Sequence, residues 1–528
     1  MFWADTISDD IQANLKAKIA SGKTLVVRDE KTASGRVHIG SMRGVAIHGL
    51  VTDVLKKAGV DATFKYEIND FDPMDGLPVY LDKEEYGRYM GKQLFSIPSP
   101  DGKAENFAEY FAQEFIDVIE TADFHPEFYR ARELYQNGKM NDVIKSALDN
   151  AADIRRIYKE VSGSERGEDW YPLSVVCEKC GNVGTTNVSE WNGEKVTYRC
   201  NENQVEWATG CGNEGETSPF DGRAKLPWKV EWAAKWKVLE VDIEGAGKDH
   251  STKGGARDVA NHISREVFGY EPPFDIPYEF FLVGGKKMSS SKGAGSSATE
   301  IAALVPTKVL RLVLFGTKPM RAINLDPAGD TIPAWFDWYD KVAEKHWGGE
   351  GDDDARLFEL VHDSEPPKQM YLPRFSTTAF LTQMEHLNMV EEIEKIKESL
   401  LTESERAELS ERAEYAKHWL VEYAPEKYKF ELQDTLPEGA LNFTKEQKSA
   451  LASVGAYIES HKDISGQDMH TALHEIRKES GVEPKEFFSA LYTILLGKEE
   501  GPKAGWFLSV LDREFLLKRL GEVSDQVA

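Results

Sequence analysis

Three groups of residues have the types and spacing that chemistry needs. His38-Ile39-Gly40-Ser41 opens a helical pattern after the apolar run Thr24-Leu25-Val26-Val27. Far downstream, Lys287-Met288-Ser289-Ser290-Ser291-Lys292 follows a second strand-like stretch. A helix start favours anions, because its first backbone N–H groups lack intrahelical partners and the helix dipole is positive there. A Lys-, Ser- and Gly-rich loop adds ammonium and hydroxyl donors to the same anion. The pair suits a polyphosphate whose charge migrates onto a leaving pyrophosphate, a reaction that needs positioning and electrostatics and no protein nucleophile. Neither Gly-x-x-x-x-Gly-Lys-Ser/Thr nor Gly-x-Gly-x-x-Gly follows the first strand, which argues against a Walker-type loop and a dinucleotide site. Either segment alone is a weak signal; their order and contexts together carry the weight.

The third group is Cys177, Cys180, Cys200 and Cys211, the whole cysteine content of the chain. Two thiolates from a tight turn and two from a second loop satisfy tetrahedral zinc. Four protein ligands leave no open position, so the metal is expected to be structural, folding a segment too polar to fold by core burial. The spacing of the second pair is looser, which makes Cys211 the weakest of the four ligands.

The elements that must position these groups follow from periodicity. Thr24–Val27, a loop over Ala33–Gly40, a helix from about His38 to Lys57 and a strand at Thr63–Ile68 make a βαβ unit. A helix-rich stretch follows from about 104 to 161, and a Gly/Asn/Glu/Thr-rich segment at about 170 to 222 carries every cysteine. The α/β pattern resumes with a strand at Lys237–Asp242, a helix near 253–267 and a strand at Glu279–Val283. From about 335 onward, amphipathic helical patterns dominate, as at 392–418, 445–461 and 504–520. The expected architecture is an α/β Rossmann-like parallel-sheet catalytic domain with a zinc-binding insertion, followed by an all-α domain. Its segments are 1–169 and 223–330 for the two catalytic halves, 170–222 for the insertion and 331–528 for the helical domain.

Composition bounds the function. The chain has 528 residues, 64 Lys+Arg against 90 Asp+Glu, and a formal net charge of −26. That balance argues against nonspecific coating of nucleic acid but leaves room for a specific RNA partner met by a local basic face. No stretch has the roughly 20 uncharged apolar residues of a membrane crossing, and MFWADTISDD lacks the marks of a secretion signal. A soluble cytoplasmic protein is expected, with no membrane partner. Cysteines confined to one segment exclude a chain-wide disulfide framework.

The motifs resemble a known family. His38–Ser41 resembles the HIGH signature and Lys287–Ser291 the KMSKS signature of class I aminoacyl-tRNA synthetases. Thr32–Gly40, Val241–His250 and Lys253–Asp258 are similar to the class I form of lysyl-tRNA synthetase. The resemblance implies a HUP-type catalytic domain that activates L-lysine with ATP and Mg²⁺ and transfers it to tRNA-Lys, and a helix-cage domain that contacts the anticodon. A monomer is expected, and the zinc insertion is expected to orient the acceptor end of tRNA.

Site residues follow the matching positions. Ser34, Gly35, His38, Gly40, Ser41, Gly247, Asp249 and Met288 are the ATP candidates, and His38, Ser41, Lys287, Ser289, Ser291 and Lys292 the candidates for stabilising phosphate charge. Glu30, Thr32, Trp228, His250 and Tyr278 are the candidates for lysine, whose ammonium must meet carboxylate or aromatic groups. Two positions depart from the family pattern: Ser41 replaces the last His of the first signature, and Ser290 replaces the Lys of the second. Lys287 and Lys292 are therefore expected to supply the missing ammonium. Trp228, Trp232 and Trp236 recur every fourth residue, a stripe suited to core or pocket wall, although the interleaved Lys225, Lys229, Lys235 and Lys237 also suit an RNA surface. Arg28 stands where glutamyl-tRNA synthetases grip an acidic substrate, which keeps the glutamyl enzyme as the alternative. An alternative of another class is a zinc-bearing RNA-binding protein without ligase activity.

Overall fold

The computed structural model describes residues 1–287, 297–362, 365–384, 387–462 and 464–524. Met288, Ser289, Ser291 and Lys292 lie outside the described residues, and of Lys287 only the backbone is described.

The catalytic sheet starts with β1 (Leu25–Thr32), β2 (Ala62–Asn69) and β3 (Glu127–Arg130), all parallel, in the order β1-β2-β3. Leu25 pairs with Ala62 and Thr32 with Asn69, so the carboxyl ends of β1 and β2 finish level. The helix Met42–Lys57 connects them and is buried along almost its whole first three turns, as expected of a crossover helix packed on a parallel sheet.

On the other side of β1 the chain differs from the sequence-based expectation. The helix Trp228–Val238 runs through the start of the expected strand at 237–242, because the every-fourth-residue Trp stripe favours a helix. Glu240 then turns in a left-handed conformation (φ 52°), and only from Val241 does the chain extend. It meets β1 through an isolated parallel bridge between Val27 and Ile243, with Asp242 N–H on Val26 O at 2.9 Å and Arg28 N–H on Ile243 O at 3.0 Å.

A second small sheet holds Phe281–Val283 between Lys286–Lys287 (antiparallel) and Ile323–Leu325 (parallel). Gly284-Gly285, at φ 55° and 74°, make its two-residue hairpin turn, a geometry that needs glycine or asparagine. The cysteine segment forms an antiparallel ribbon of Thr186–Trp191, Val196–Cys200 and Glu214–Thr217. It buries Val183, Val188, Val196 and Tyr198, a larger apolar core than its composition suggests.

The chain divides into two compact units, one of residues 1–326 and 341–366, the other of residues 327–340 and 367–528. The second is helical, with a core that includes Phe380, Leu451, Leu473, Leu491 and Phe507. The helix expected at 445–461 is present as Lys445–Ser460. The pattern at 392–418 is two helices, Met389–Lys397 and Glu403–Glu422. Glu398 ends the first in a left-handed conformation, and Thr402 with Glu405 forms a capping box that starts the second. The pattern at 504–520 is likewise broken, into Ala504–Val510 and Arg513–Ser524. Among the described residues no helix is long and apolar enough to cross a membrane.

Candidate active site

The loop Ala33–Gly40 leaves the carboxyl end of β1 and enters a single 3₁₀ turn, Ile39–Ser41, before the helix Met42–Lys57. Ser41 heads that helix without its side chain capping the first turn. Ser297, the first described residue after the serine-rich stretch, pairs with His38 in an antiparallel bridge, and Ala298 N–H donates to Val37 O at 2.8 Å. Ser297 also caps the helix Ala298–Ala302 in a capping box with Glu300, which fixes the chain at this point. The chain that resumes at Ser297, downstream of the second motif, is thus joined backbone to backbone to the first motif at His38. Arg43, fully buried as the second residue of the helix that follows the first motif, donates to Leu314 O at 2.6 Å and to Thr317 O and Lys318 O at 2.7 Å. It ties the helix Thr307–Gly316 to the first motif and satisfies carbonyls that helix leaves open.

A second loop, Gly245–His250, lies beside the first. His48 Nδ1–H donates to Gly44 O at 2.8 Å, so its Nε2 is left to accept the Gly245 N–H at 2.7 Å. Gly247 pairs with Tyr278 in a parallel bridge, and Lys248 N–H donates to Tyr278 O at 2.8 Å. Gly44 matters for close approach: a Cβ there would stand 2.8 Å from the Tyr278 hydroxyl. Asp249 and His250 are exposed at the loop end. The His250 ring meets Trp228 edge-on with centroids 5.2 Å apart, and Trp228 stacks on Trp232 at 5.6 Å. Trp228 is 41% exposed, while Trp232 and Trp236 are buried, so the stripe is open to solvent at its first residue and core behind it.

Beneath these residues lies a network of buried charges that periodicity did not disclose. The Arg28 guanidinium, with no exposed surface, donates to Glu244 at 2.6 Å, to Glu67 at 2.8 Å, to the Tyr129 hydroxyl at 2.9 Å, and also to Glu30. Lys235 pairs with Glu67 and lies 3.4 Å from Glu231 and 3.7 Å from Glu30. Lys225 bridges Glu231 at 2.7 Å and Asp72 at 2.8 Å, and Asp72 accepts the Thr32 hydroxyl at 3.0 Å. Trp232 and Trp236 both donate their indole N–H to Glu244, at 3.0 and 2.6 Å. Lys225 and Lys235 are therefore core residues rather than part of an RNA surface.

Three cations face five carboxylates in this network, an excess of two negative charges. The Glu30 and Asp72 side chains are 21% and 26% exposed, whereas those of Glu67, Glu231 and Glu244 are at most 3% exposed. The uncompensated charge therefore opens toward the site at Glu30 and Asp72. Burial alone would raise the Glu67 carboxyl, but Lys235 and Arg28 overcome it and hold it at about 2. Burial raises the Glu30 carboxyl above its usual range against the pull of Arg28 and Lys235, with Glu67 and Glu244 adding to the rise. Such a site accepts a cation and repels an anion.

The four cysteine Sγ atoms lie within 4.8 Å of one another, with Cys177–Cys211 at 3.6 Å and Cys180–Cys200 at 3.7 Å. Tetrahedral zinc with Zn–S bonds of about 2.3 Å sets its sulfurs about 3.8 Å apart, so this donor set fits the metal in number, type and spacing. Gly181 N–H on Cys177 O and Gly212 N–H on Cys200 O, at 2.8 and 2.9 Å, close the turns behind the thiols. Cys211 N–H donates to Cys200 Sγ at 3.3 Å, which integrates the ligand whose spacing was loosest.

A helix-start motif at the carboxyl edge of a parallel sheet, met there by a distant chain segment at Ser297 and followed in the chain by an all-α unit, is the architecture of class I tRNA synthetases. Comparison with known proteins sharpens that class. Residues 1–365 match the family described as tRNA synthetases class I (K), and residues 371–523 match the anticodon binding domain. The chain belongs to the class I (K) tRNA synthetase family. It is 34% identical to the lysine–tRNA ligase of Methanosarcina barkeri strain Fusaro, over 99% of this chain and 98% of that protein. It is 30% identical to the lysine–tRNA ligase of Archaeoglobus fulgidus, over 98% of this chain and 99% of that protein. A solved glutamate tRNA ligase from Elizabethkingia meningosepticum aligns over 96% of this chain and 100% of its own, at 12% identity and a TM-score of 0.45.

Proposed function

We propose that this protein is an ATP-dependent lysine–tRNA ligase. In its first step the lysine α-carboxylate attacks the α-phosphorus of ATP, forming lysyl-adenylate and releasing pyrophosphate. In its second step the 2′-hydroxyl of the terminal adenosine of tRNA-Lys attacks the mixed anhydride and AMP leaves. His38, Ser41 and the backbone of Ser34, Gly35 and Gly40 hold the triphosphate, with Gly247, Asp249 and Met288 on the nucleoside side. Lys287 and Lys292, with Ser289 and Ser291, meet the charge that develops on pyrophosphate. Mg²⁺, when bound with the nucleotide, neutralises phosphate charge.

The observation that carries the choice of lysine is the engagement of Arg28. A glutamyl enzyme would need that guanidinium free for a substrate carboxylate, but here it is surrounded by Glu30, Glu67 and Glu244. A cationic side chain seated against Glu30, with Thr32, Trp228, His250 and Tyr278 as walls, offsets the excess negative charge; an anionic one adds to it. The names of the relatives favour the same substrate. Cys177, Cys180, Cys200 and Cys211 hold a structural zinc in the insertion at 170–222, whose task is to orient the tRNA acceptor end. Residues 331–528 act as the anticodon-binding domain, and the enzyme works as a cytoplasmic monomer.

Lysine-dependent ATP–pyrophosphate exchange tests the reading. Exchange with lysine, lost in His38→Ala while the fold is retained, is the expected result. Exchange with glutamate in the presence of tRNA would favour the glutamyl enzyme. Tight tRNA binding with no exchange or aminoacylation for either amino acid would identify an RNA-binding protein.

A further inference from the structure

Between β2 and the helix Phe107–Thr121 the chain makes a long excursion, closed at its neck. Met74 N–H donates to Lys92 O at 2.8 Å, Gly91 N–H donates to Met74 O at 2.9 Å, and Pro73 pairs with Gln93. The neck is fastened to the cysteine segment: Val183 N–H donates to Gly91 O at 2.8 Å, and Lys92 pairs with Asn182, two residues after Cys180. The excursion begins at Asp72, which takes the Thr32 hydroxyl and the Lys225 ammonium at the amino-acid end of the site.

The tip, Pro78-Val79-Tyr80, reaches back to the loop ahead of His38. The Tyr80 hydroxyl accepts the Arg36 N–H at 2.6 Å, and the Arg36 guanidinium lies 5.1 Å from the centre of the Tyr80 ring. A Cβ on Gly35 would stand 2.9 Å from that hydroxyl and 3.0 Å from Pro78 Cγ, so the bare glycine lets the tip settle on the loop. Yet the tip is no core element, since Val79 is 73% exposed and Tyr80 40%. An exposed tip held by one phenol oxygen on one backbone N–H, by the guanidinium on its ring and by a ring contact with Phe111 at 6.2 Å is a detachable contact. That N–H and that bare α-carbon are what a phosphate oxygen would use in its place.

We propose that Tyr80 gates the nucleotide loop: its hydroxyl occupies the Arg36 N–H while the loop is empty and is displaced when a triphosphate seats. The excursion then swings about Met74 and Gly91 and carries the state of the loop to the cysteine segment. This rests on the assignment of residues 33–41 to ATP.

The test uses the full chain with Tyr80→Phe and Tyr80→Ala. Dissociation constants for Mg-ATP and for lysine are measured separately, and hydrogen exchange is followed in a peptide containing Val183 with and without ATP. Tyr80→Phe is expected to bind ATP about fivefold more tightly, the release of one net hydrogen bond, with lysine affinity unchanged. ATP is expected to speed exchange at Val183 in the unmodified protein, and Tyr80→Ala to show that faster exchange without nucleotide. ATP affinity that is unchanged or weaker in both variants, or a Val183 amide indifferent to ATP, overturns the gate. Unmodified protein that binds no ATP at all defeats the loop assignment itself, a result distinct from ATP binding that ignores Tyr80.

Discussion

Glu67 is the residue on which the floor of the site turns. It takes Arg28, Lys235 and the Tyr129 hydroxyl at once and has no exposed surface. Removing its charge weakens the charge-assisted bonds from Arg28 and Lys235 and leaves Lys235 only its longer contacts to Glu231 and Glu30, a loss of the kind that costs about 1.5–3 kcal/mol. Glu67→Gln is therefore expected to lower the urea midpoint markedly at pH 7. The pH dependence has a definite sign. The folded-state value, about 2, lies below the ordinary 4.5, so the contribution is complete above 4.5 and is lost as pH falls from there toward 2. The stability gap between the unmodified protein and Glu67→Gln should narrow through that window, and a gap constant from pH 7 to pH 3 would contradict the assignment. Glu30 acts in the opposite sense: its raised value means its contribution is complete below the ordinary range and fades as pH climbs through the folded-state value.

Among the elements, the short helix Ala298–Ala302 has a role beyond its length. Its N-cap, Ser297, is the residue paired with His38, and its side chain accepts the Glu300 N–H at 3.2 Å while Glu300 accepts the Ser297 N–H at 2.9 Å. Ser297→Ala removes half of this capping box, at about 1 kcal/mol, and loosens the chain where it meets His38. The expected result is a rise in KM for ATP with a small drop in melting temperature and an unchanged KM for lysine. Equal changes in both KM values would mean that the cap serves the fold alone. How far such elements were legible depends on range. The helix after His38, the strands begun at 24–27 and 63–68 and the helix at 445–460 follow from local periodicity, because each presents an apolar face, whereas the charged continuation of the first strand through Thr32 does not. The break at 398–402 was hidden, since a capping box and a left-handed Glu398 interrupt a pattern whose apolar spacing runs on. The charge network was hidden for a different reason. Lys225 and Lys235 resemble surface lysines in sequence and are buried only because Asp72, Glu67 and Glu231 arrive from other elements. The cysteine cluster was legible because thiols so concentrated have few other uses. The engagement of Arg28 was hidden in the same way as that of the two lysines, since Glu67 and Glu244 reach it from other elements.

On the scale of the whole molecule, the cysteine segment is continuous with the site. Cys177, Val188, Val196, Tyr198 and Cys200 belong to the same buried cluster as Leu226, Trp232 and Trp236, and that cluster ends at the Trp228–His250 contact. A zinc ion that closes four thiolates would therefore stabilise more than a ribbon: it would brace the Trp228–His250 wall of the proposed lysine site through packed side chains, which transmit displacement because interiors are dense. The helical unit of residues 367–528 has its own core, which includes Leu451, Leu473 and Leu491, and shares none of these residues. Chelation, or Cys177→Ser, should accordingly speed hydrogen exchange first in residues 175–217 and then in the helix Trp228–Val238, and weaken lysine binding. Exchange in residues 445–496 should stay as it was. Metal content measured beside exchange decides the matter. One zinc per chain, lost together with protection in the ribbon, is the expected outcome, and protection that survives metal loss would show that the ribbon's own apolar core suffices to hold it.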